Sequence, residues 1–452
     1  MRLLLGIDFG TSYFKVGLFD AAGRLQGLGR VAVQAEGTAG RAELPVPRFW
    51  ALLRTALGSA LSDARANPAD IAALAYSSQA NSFVLLDATD APLTPLVLWT
   101  DARAEPIAPE LERFSRRPEF APKVGFSGWS GGFAVAKCGW YQDRAPELWA
   151  RVRHVATLPD YFTFALTGER KIDASAASFL GLYDLERGGW WPAALEAARL
   201  QPAQLAAPVP PGTMVGRTGT HAAERFGLPA GLPLAVGGLD HHVAALGSGL
   251  GRLGDVSIST GTVLAAMTLV PAPSPRPGCF HGPDFTAGRF YRLAFDPAGA
   301  GQLEDYQRQF GGGQTLEQLL ALAAAAPAAG APPANLGTAD RGAAVRFLLE
   351  KIAATHRRLI GEVTGGASVS RIIATGGGAR SPLWLQIKAD LCGVPVVAPQ
   401  SPERACLGAA VLASVAAGWH RDVAEAADAM VSAGRVFEPD LRNVARYREA
   451  AV

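Results

Sequence analysis

The stretch Gly6-Ile7-Asp8-Phe9-Gly10-Thr11-Ser12, entered through apolar Leu3-Leu4-Leu5, decides how the rest of the chain is read. Its apolar run is continuous, which suits a strand covered on both faces of a sheet. Gly10-Thr11-Ser12 supplies a bend, and the chain returns through Val16, Leu18 and Phe19 as a second strand. Backbone N–H groups in a Gly-Thr turn can approach phosphate oxygens, because glycine has no Cβ and accepts unusual dihedrals. The hydroxyls of Thr11 and Ser12 add donors. Asp8, at the end of the buried strand, is placed to hold a hydrated Mg²⁺ that neutralises phosphate charge. The plainer reading is a hairpin whose aspartate caps its own turn.

Around this hairpin, bulk properties narrow the class. At 452 residues the chain is too long for one ordinary core, so two domains are expected. A hydrophobic content of 49% with 18% charged residues suits buried α/β cores and excludes a disordered chain. The formal net charge is +2 and no Lys/Arg run occurs, which argues against nucleic acid as a partner. Cys138, Cys279, Cys392 and Cys406 are scattered without C-x-x-C spacing, as expected for reduced thiols rather than a zinc site. The N-terminal apolar run is interrupted by Asp8 and is too short for a signal peptide or membrane span. A cytoplasmic protein without membrane contact is expected.

Further strands are predicted at 71–76, 83–86 and 96–99, and a helical pattern from 140 to 166 with Pro159 near a helix start. Pro202 to Thr220, rich in proline and glycine, is the candidate domain boundary, giving expected domains 1–230 and 231–452. Ser257-Ile258-Ser259-Thr260-Gly261-Thr262, followed by Val263-Leu264, mirrors the opening hairpin. Two such hairpins would face each other across a cleft. An amphipathic helix is predicted over 347–363, and a strand at 372–375 runs into Gly376-Gly377-Gly378. Pro382 then opens a helix carrying Leu383, Trp384, Ile387 and Leu391 inward. The Ala/Pro-rich segment 321–333 is expected to be a helix end and surface loop without chemistry.

Asp8-Phe9-Gly10 spells a protein-kinase signature, and His420-Arg421-Asp422 supplies another, but their order is reversed and Ala427 stands where a metal-binding Asn belongs. No Gly-Lys-Ser/Thr occurs, which excludes a P-loop. Asp240 follows an apolar strand at 234–238 and precedes a small-residue helix, where a carboxylate can accept a hydroxyl proton during phosphoryl transfer. The competing reading is a helix N-cap. His241 and His242 point to different helix faces, which argues against a shared metal.

Taken together, Gly6-Ile7-Asp8-x-Gly10-Thr11, Gly237-Gly238-x-Asp240, Ser259-Thr260-Gly261-Thr262 and Thr375-Gly376-Gly377-Gly378-Ala379-Arg380-Ser381 resemble the FGGY carbohydrate kinases in order and spacing. The resemblance extends to Trp99-x-Asp101-x-Arg103 and Leu391-x-Gly393-x-Pro395-Val396, covering nearly the whole chain. It implies an α/β fold of two actin-like, ribonuclease-H-like domains with mixed sheets flanked by helices, closing around ATP and sugar. By the same resemblance Asp240 matches the catalytic base and Asp8 the residue supporting Mg²⁺. Gly10, Thr11 and Ser12, and Thr260, Gly261 and Thr262, match the two phosphate loops. Gly376, Gly377 and Gly378 match the adenosine loop, and Gly301, ahead of Leu303 and Tyr306, a position flanking the purine.

The substrate loop departs from named branches. It reads Ser77-Ser78-Gln79-Ala80-Asn81-Ser82, where glycerol kinases place Arg-Glu and xylulose kinases Met-His after the glutamine. Gln79, Ala80 and Asn81 suggest a neutral sugar or polyol recognised by amide hydrogen bonds, with Trp99 offering an apolar face. Asp173 reads as a hydroxyl contact or a surface turn residue. The expected activity is ATP-dependent phosphorylation of a hydroxyl, the terminal one, of a small ketose or polyol, pentulose-like by preference. An actin- or chaperone-like ATPase and a catalytically silent sugar-binding regulator are the competing classes, and a homodimer is an open assembly.

Overall fold

Seven consecutive buried residues, Leu3–Phe9 (β1), lie inside the first sheet of the computed structural model, which describes residues 2–450 except 39, 262, 329–332, 338 and 339. β1 pairs antiparallel with Tyr13–Phe19 (β2), which in turn pairs with Leu25–Ala32 (β3). On its other side β1 runs parallel to Ile71–Ser78 (β4). Met214–Arg217 (β5) and Pro233–Ala235 (β6) extend the sheet beyond β4, and Gly238–Leu239 (β7) also pairs with β4. β1 and β4 are buried along their whole length, which explains their unbroken apolar runs.

Helices cover both faces. Helix Val46–Ala64 buries Phe49, Trp50 and Leu53 against an aromatic cluster with Phe9, Phe14 and Phe162. Helix Arg404–Ala416 packs on the opposite face of β1. Gly6 makes that approach possible, since a Cβ there would stand 1.9 Å from the Cys406 carbonyl oxygen. Any side chain at this position would push the helix off the sheet.

The chain folds into two compact units. The first comprises Met1–Gly247, Val270–Tyr291 and Ser401–Val431; the second comprises Ser248–Leu269, Arg292–Gln400 and Ser432–Val452. In the second, Asp255–Thr260 (β8) pairs antiparallel with Leu264–Val270 (β9) and parallel with Arg371–Gly376 (β10). Val396–Ala398 (β11) runs parallel to β10, and Arg435–Phe437 (β12) runs antiparallel to β11. The order β12-β11-β10-β8-β9 repeats β5-β6-β4-β1-β2, with the same strand directions throughout. This is the mixed α/β, ribonuclease-H-like repeat that the sequence predicts.

Several local expectations are corrected. The 140–166 stretch is not continuously helical, because strand His154–Thr157 separates helix Ala134–Arg144 and the short Pro146–Trp149 turn from helix Leu158–Thr167. Antiparallel pairing with Phe83–Leu86 decides the matter for Val155 and Ala156. The strand expected over 96–99 ends at Val97, since the Leu98 N–H bonds to the Ala42 carbonyl and Trp99 N–H to the Ser82 hydroxyl. Pro202 to Thr220 lies inside the first unit: Ala207–Val209 pairs with Lys171–Asp173, and β5 joins the main sheet. The division expected at residue 230 therefore also falls within that unit, and Asp240 belongs to it. The prolines mark turns between short strands here, where a linker was expected. Part of the Ala/Pro-rich segment lies outside the described residues. Among the described residues, no helix is long and apolar enough to cross a membrane.

Candidate active site

In the first unit the hairpin register sets Asp8 directly opposite Lys15. Asp8 is 8% exposed, its Oδ1 accepts from the Ser77 hydroxyl at 3.2 Å, and its Oδ2 lies 3.6 Å from Lys15 Nζ. Lys15 Nζ also reaches Glu403 Oε2 at 3.0 Å. Burial drives the Asp8 carboxyl up to about 6 against the pull of Lys15, and the charges of Asp240 and Glu403 push the same way as burial. Burial opposes the charge of Lys15, yet Asp8 and Glu403 hold its pKa above the ordinary lysine value. Gly10 and Thr11 are half-buried and Ser12 is exposed, so this turn can meet a ligand.

Asp240 reaches the same edge by a separate route. Asp8 and Gly238 both face Ser77, from opposite sides of β4, so Asp240 emerges just beyond the paired strands. It is the first residue of helix Asp240–Leu246, with Leu239 as the N-cap, so the capping reading fails. Its Oδ1 accepts only from the adjacent His241 N–H, at 2.7 Å, among the hydrogen bonds described. Asp173 supports this corner and is fully buried, not a surface turn residue. It caps helix Ala174–Phe179 through Ala176 N–H at 2.8 Å and accepts from Ser175 Oγ at 2.5 Å. Ser175 Oγ in turn accepts from the Leu239 N–H at 3.0 Å. His242 packs on Phe285 and bonds Asp284 at 3.0 Å, away from any shared metal set. No group of three or more His, Cys, Asp or Glu is placed to hold a metal among the described residues.

The predicted substrate loop is largely occupied with its own backbone. Gln79 donates to the Gly10 carbonyl at 3.3 Å and accepts from the Ser82 hydroxyl at 3.1 Å. Asn81, at φ +60, donates to the Phe179 carbonyl and accepts from the Ala134 N–H. The amides expected to read a sugar thus hold the loop in shape. Ala80 is half-buried, and Trp99 is 45% exposed, with its Nε1–H donating to Thr11 Oγ1 at 2.8 Å. Buried Lys137 donates to the carbonyls of Leu98 and Trp99 and fixes that loop. Asp101 and Arg103 form a buried ion pair that also engages Glu43 and Tyr141.

The second unit brings together Thr260, Gly261, Gly301 and the three glycines. The Gly261 carbonyl accepts from Ala300 N–H at 2.9 Å, just ahead of helix Gly301–Phe310. Gly376 has φ +79, and a Cβ there would stand 2.4 Å from the Thr260 carbonyl oxygen. A Cβ on Gly378 would meet Thr260 Cγ2 at 2.7 Å, whereas Gly377 is exposed. Thr260 itself is fully buried and its hydroxyl accepts from Lys388 Nζ at 2.6 Å, so its side chain points away from solvent. Thr262 lies outside the described residues. The protein-kinase-like Asp422 caps helix Val423–Met430, a structural use.

Sequence reasoning missed Lys15, Glu403, Ser175 and Lys388. Lys15 was recoverable, since counting back from the turn sets it opposite Asp8. Glu403 and Lys388 carry no local signal, because tertiary packing alone delivers them.

Comparison with known proteins now assigns the arrangement. Residues 3–247 match the N-terminal domain of the FGGY family of carbohydrate kinases, and residues 309–417 match its C-terminal domain. A xylulose kinase of Lactococcus lactis is 27% identical, covering 99% of this chain and 95% of its own. An autoinducer-2 kinase of Klebsiella pneumoniae is 26% identical, with 99% and 92% covered. The crystal structure of a xyloylose kinase from Brucella ovis superposes with a TM-score of 0.88 at 25% identity, covering 99% of this chain and 97% of the other. With both domains matched and the repeated hairpin fold in place, the chain belongs to the FGGY family of carbohydrate kinases.

Proposed function

We propose that this kinase transfers the γ-phosphoryl group of ATP, the nucleotide its family uses, to the terminal hydroxyl of a small ketose or polyol, with pentuloses preferred. The observation that carries the acceptor side is the convergence of Asp8 and Asp240 at one edge of the first sheet, either side of Ser77. Asp240 Oδ2 has no hydrogen-bond partner among the described residues, and Asp240 serves as the general base that accepts the hydroxyl proton. Asp173 and Ser175 hold the backbone that precedes it. Trp99 offers the exposed apolar face for the carbon chain, while Gln79, Ala80 and Asn81 shape the loop beneath the sugar.

On the nucleotide side, Gly10, Thr11 and Ser12 in the first turn and Gly261 after Thr260 would offer backbone amides to phosphate, with Thr262 assigned there by its place in the motif. Gly377 is exposed and leaves backbone open for adenosine, while Gly376 and Gly378 pack on Thr260; Gly301 is the position assigned to flank the purine. Asp8 suits Mg²⁺ by its chemistry, a single buried carboxylate that leaves the other ligand positions to water and phosphate oxygens. The ion would supply charge neutralisation on the phosphates when bound. A cytoplasmic location fits four cysteines, none in a disulfide.

A second reading follows from the relatives named autoinducer-2 kinases, which match nearly as well as the xylulose kinase. An ADP-release assay across pentuloses, tetruloses, hexuloses, glycerol, alditols and autoinducer-2, with the phosphorylated product identified, separates the two. Turnover on a pentulose far above the rest supports the first reading. Selective turnover on autoinducer-2 replaces it.

A further inference from the structure

Lys388 is a buried charge that the proposed chemistry leaves unused. It lies on helix Pro382–Cys392 in the second unit, fully buried, and its ammonium donates to Thr260 Oγ1 at 2.6 Å. The Trp384 ring lies 4.8 Å from Nζ. His356 faces it from helix Arg341–Thr364, with Nε2 3.2 Å from the Ser259 carbonyl oxygen, and Cys392 lies one turn along its own helix. Among the described residues no carboxylate forms an ion pair with Lys388, whose hydrogen bond goes to the neutral Thr260 hydroxyl. A buried cation without a counter-ion is costly unless something else supplies negative charge. Thr260 ends β8, immediately before the turn assigned to phosphate, and carries the glycine turn on its backbone.

We infer that Lys388 is a positioning residue whose missing counter-charge is the polyphosphate of the nucleotide, so that ADP or ATP binding takes up a proton at Lys388 Nζ. The inference rests on the reading of the second hairpin as a phosphate loop. Burial alone draws the Lys388 ammonium down to about 7, so the free protein loses that charge as pH rises above neutrality. A bound polyanion favours the charged form and raises the pKa, so solvent supplies one proton and nucleotide affinity falls with rising pH. His356, held down to about 3 by burial and by Lys388, stays neutral and does not compete for that proton.

The probe is ADP alone, titrated by calorimetry in two buffers of different ionisation enthalpy from about pH 7.5 to 9, more than one unit above the phosphate ionisation at about pH 6. The expected result is uptake of most of one proton per ADP near pH 8, with Kd rising up to about tenfold per pH unit. Lys388→Met keeps the length, removes the charge, and should bind ADP more weakly with no proton uptake. The chain has six lysines, so carbon-13 spectra of lysine-labelled wild type provide a reading that needs no variant. One resonance titrating near neutrality should move upward with ADP. Gly261→Asp places a carboxylate in the half-buried turn after Thr260 and should abolish ADP binding. If it does not, the phosphate-loop reading falls and the Lys388 inference falls with it. If it does, but wild type takes up no proton, no lysine resonance moves, or Lys388→Met takes up the same proton, the Lys388 inference alone is overturned.

Discussion

The two hairpins share strand order and direction, yet carry opposite charge beside their turns. In the first, the last strand residue but one is Asp8, paired with Lys15, which also reaches Glu403. In the second, the corresponding Ser259 is neutral, and the charge beneath the turn is the ammonium of Lys388, bonded to Thr260. One scaffold therefore presents a carboxylate corner suited to a cation and a hydroxyl proton, and a cationic corner suited to phosphate. Duplication supplies the geometry, while a few side chains assign the roles.

The comparison breaks most sharply at Asp8. Asp8→Asn should lower turnover about a hundredfold or more while leaving the affinity for metal-free ADP within a few fold, because Asp8 acts through Mg²⁺ and the backbone amides of the turn are kept. Steady-state kinetics with ADP titration checks this; normal turnover would remove Asp8 from the chemistry. Gly376→Val tests the other hairpin. At φ +79, with a Cβ 2.4 Å from the Thr260 carbonyl oxygen, the substitution should cost about 2 kcal/mol or more and abolish ADP binding. Thermal unfolding with ADP titration reads both, and unchanged stability and affinity would contradict the fit described for this turn. The smallest effect is expected at Asp173. Asp173→Asn keeps the shape but weakens the hold on Ser175 and Leu239, so kcat should fall about tenfold with KM unchanged. A change in KM alone would show that Asp173 touches substrate instead.

Much of this was legible from residue order. Leu3 to Phe9 announces itself by an apolar run ending in a Gly-Thr turn, Asp255 to Thr260 by mirroring that motif, and Pro382 by opening a helix that Ser381 caps. Strand pairing overrode local pattern at His154–Thr157, where the partner strand is far away in sequence. The domain division was not legible, because the first unit takes back residues 270–291 and 401–431 after the chain has begun the second. For the same reason Glu403 could not be foreseen beside Lys15. The amides of Gln79 and Asn81 show a different limit. Their residue types suit sugar recognition, but hydrogen bonds within the loop use them first.

The central claim is that Asp240, at the acid corner, removes the hydroxyl proton in a step separable from nucleotide binding. Asp240→Asn measures it most directly, as turnover with the preferred sugar alongside ADP affinity on the same preparation. The account predicts a fall in kcat of about a thousandfold, with ADP binding within a few fold of wild type. Near-normal turnover in Asp240→Asn would contradict it.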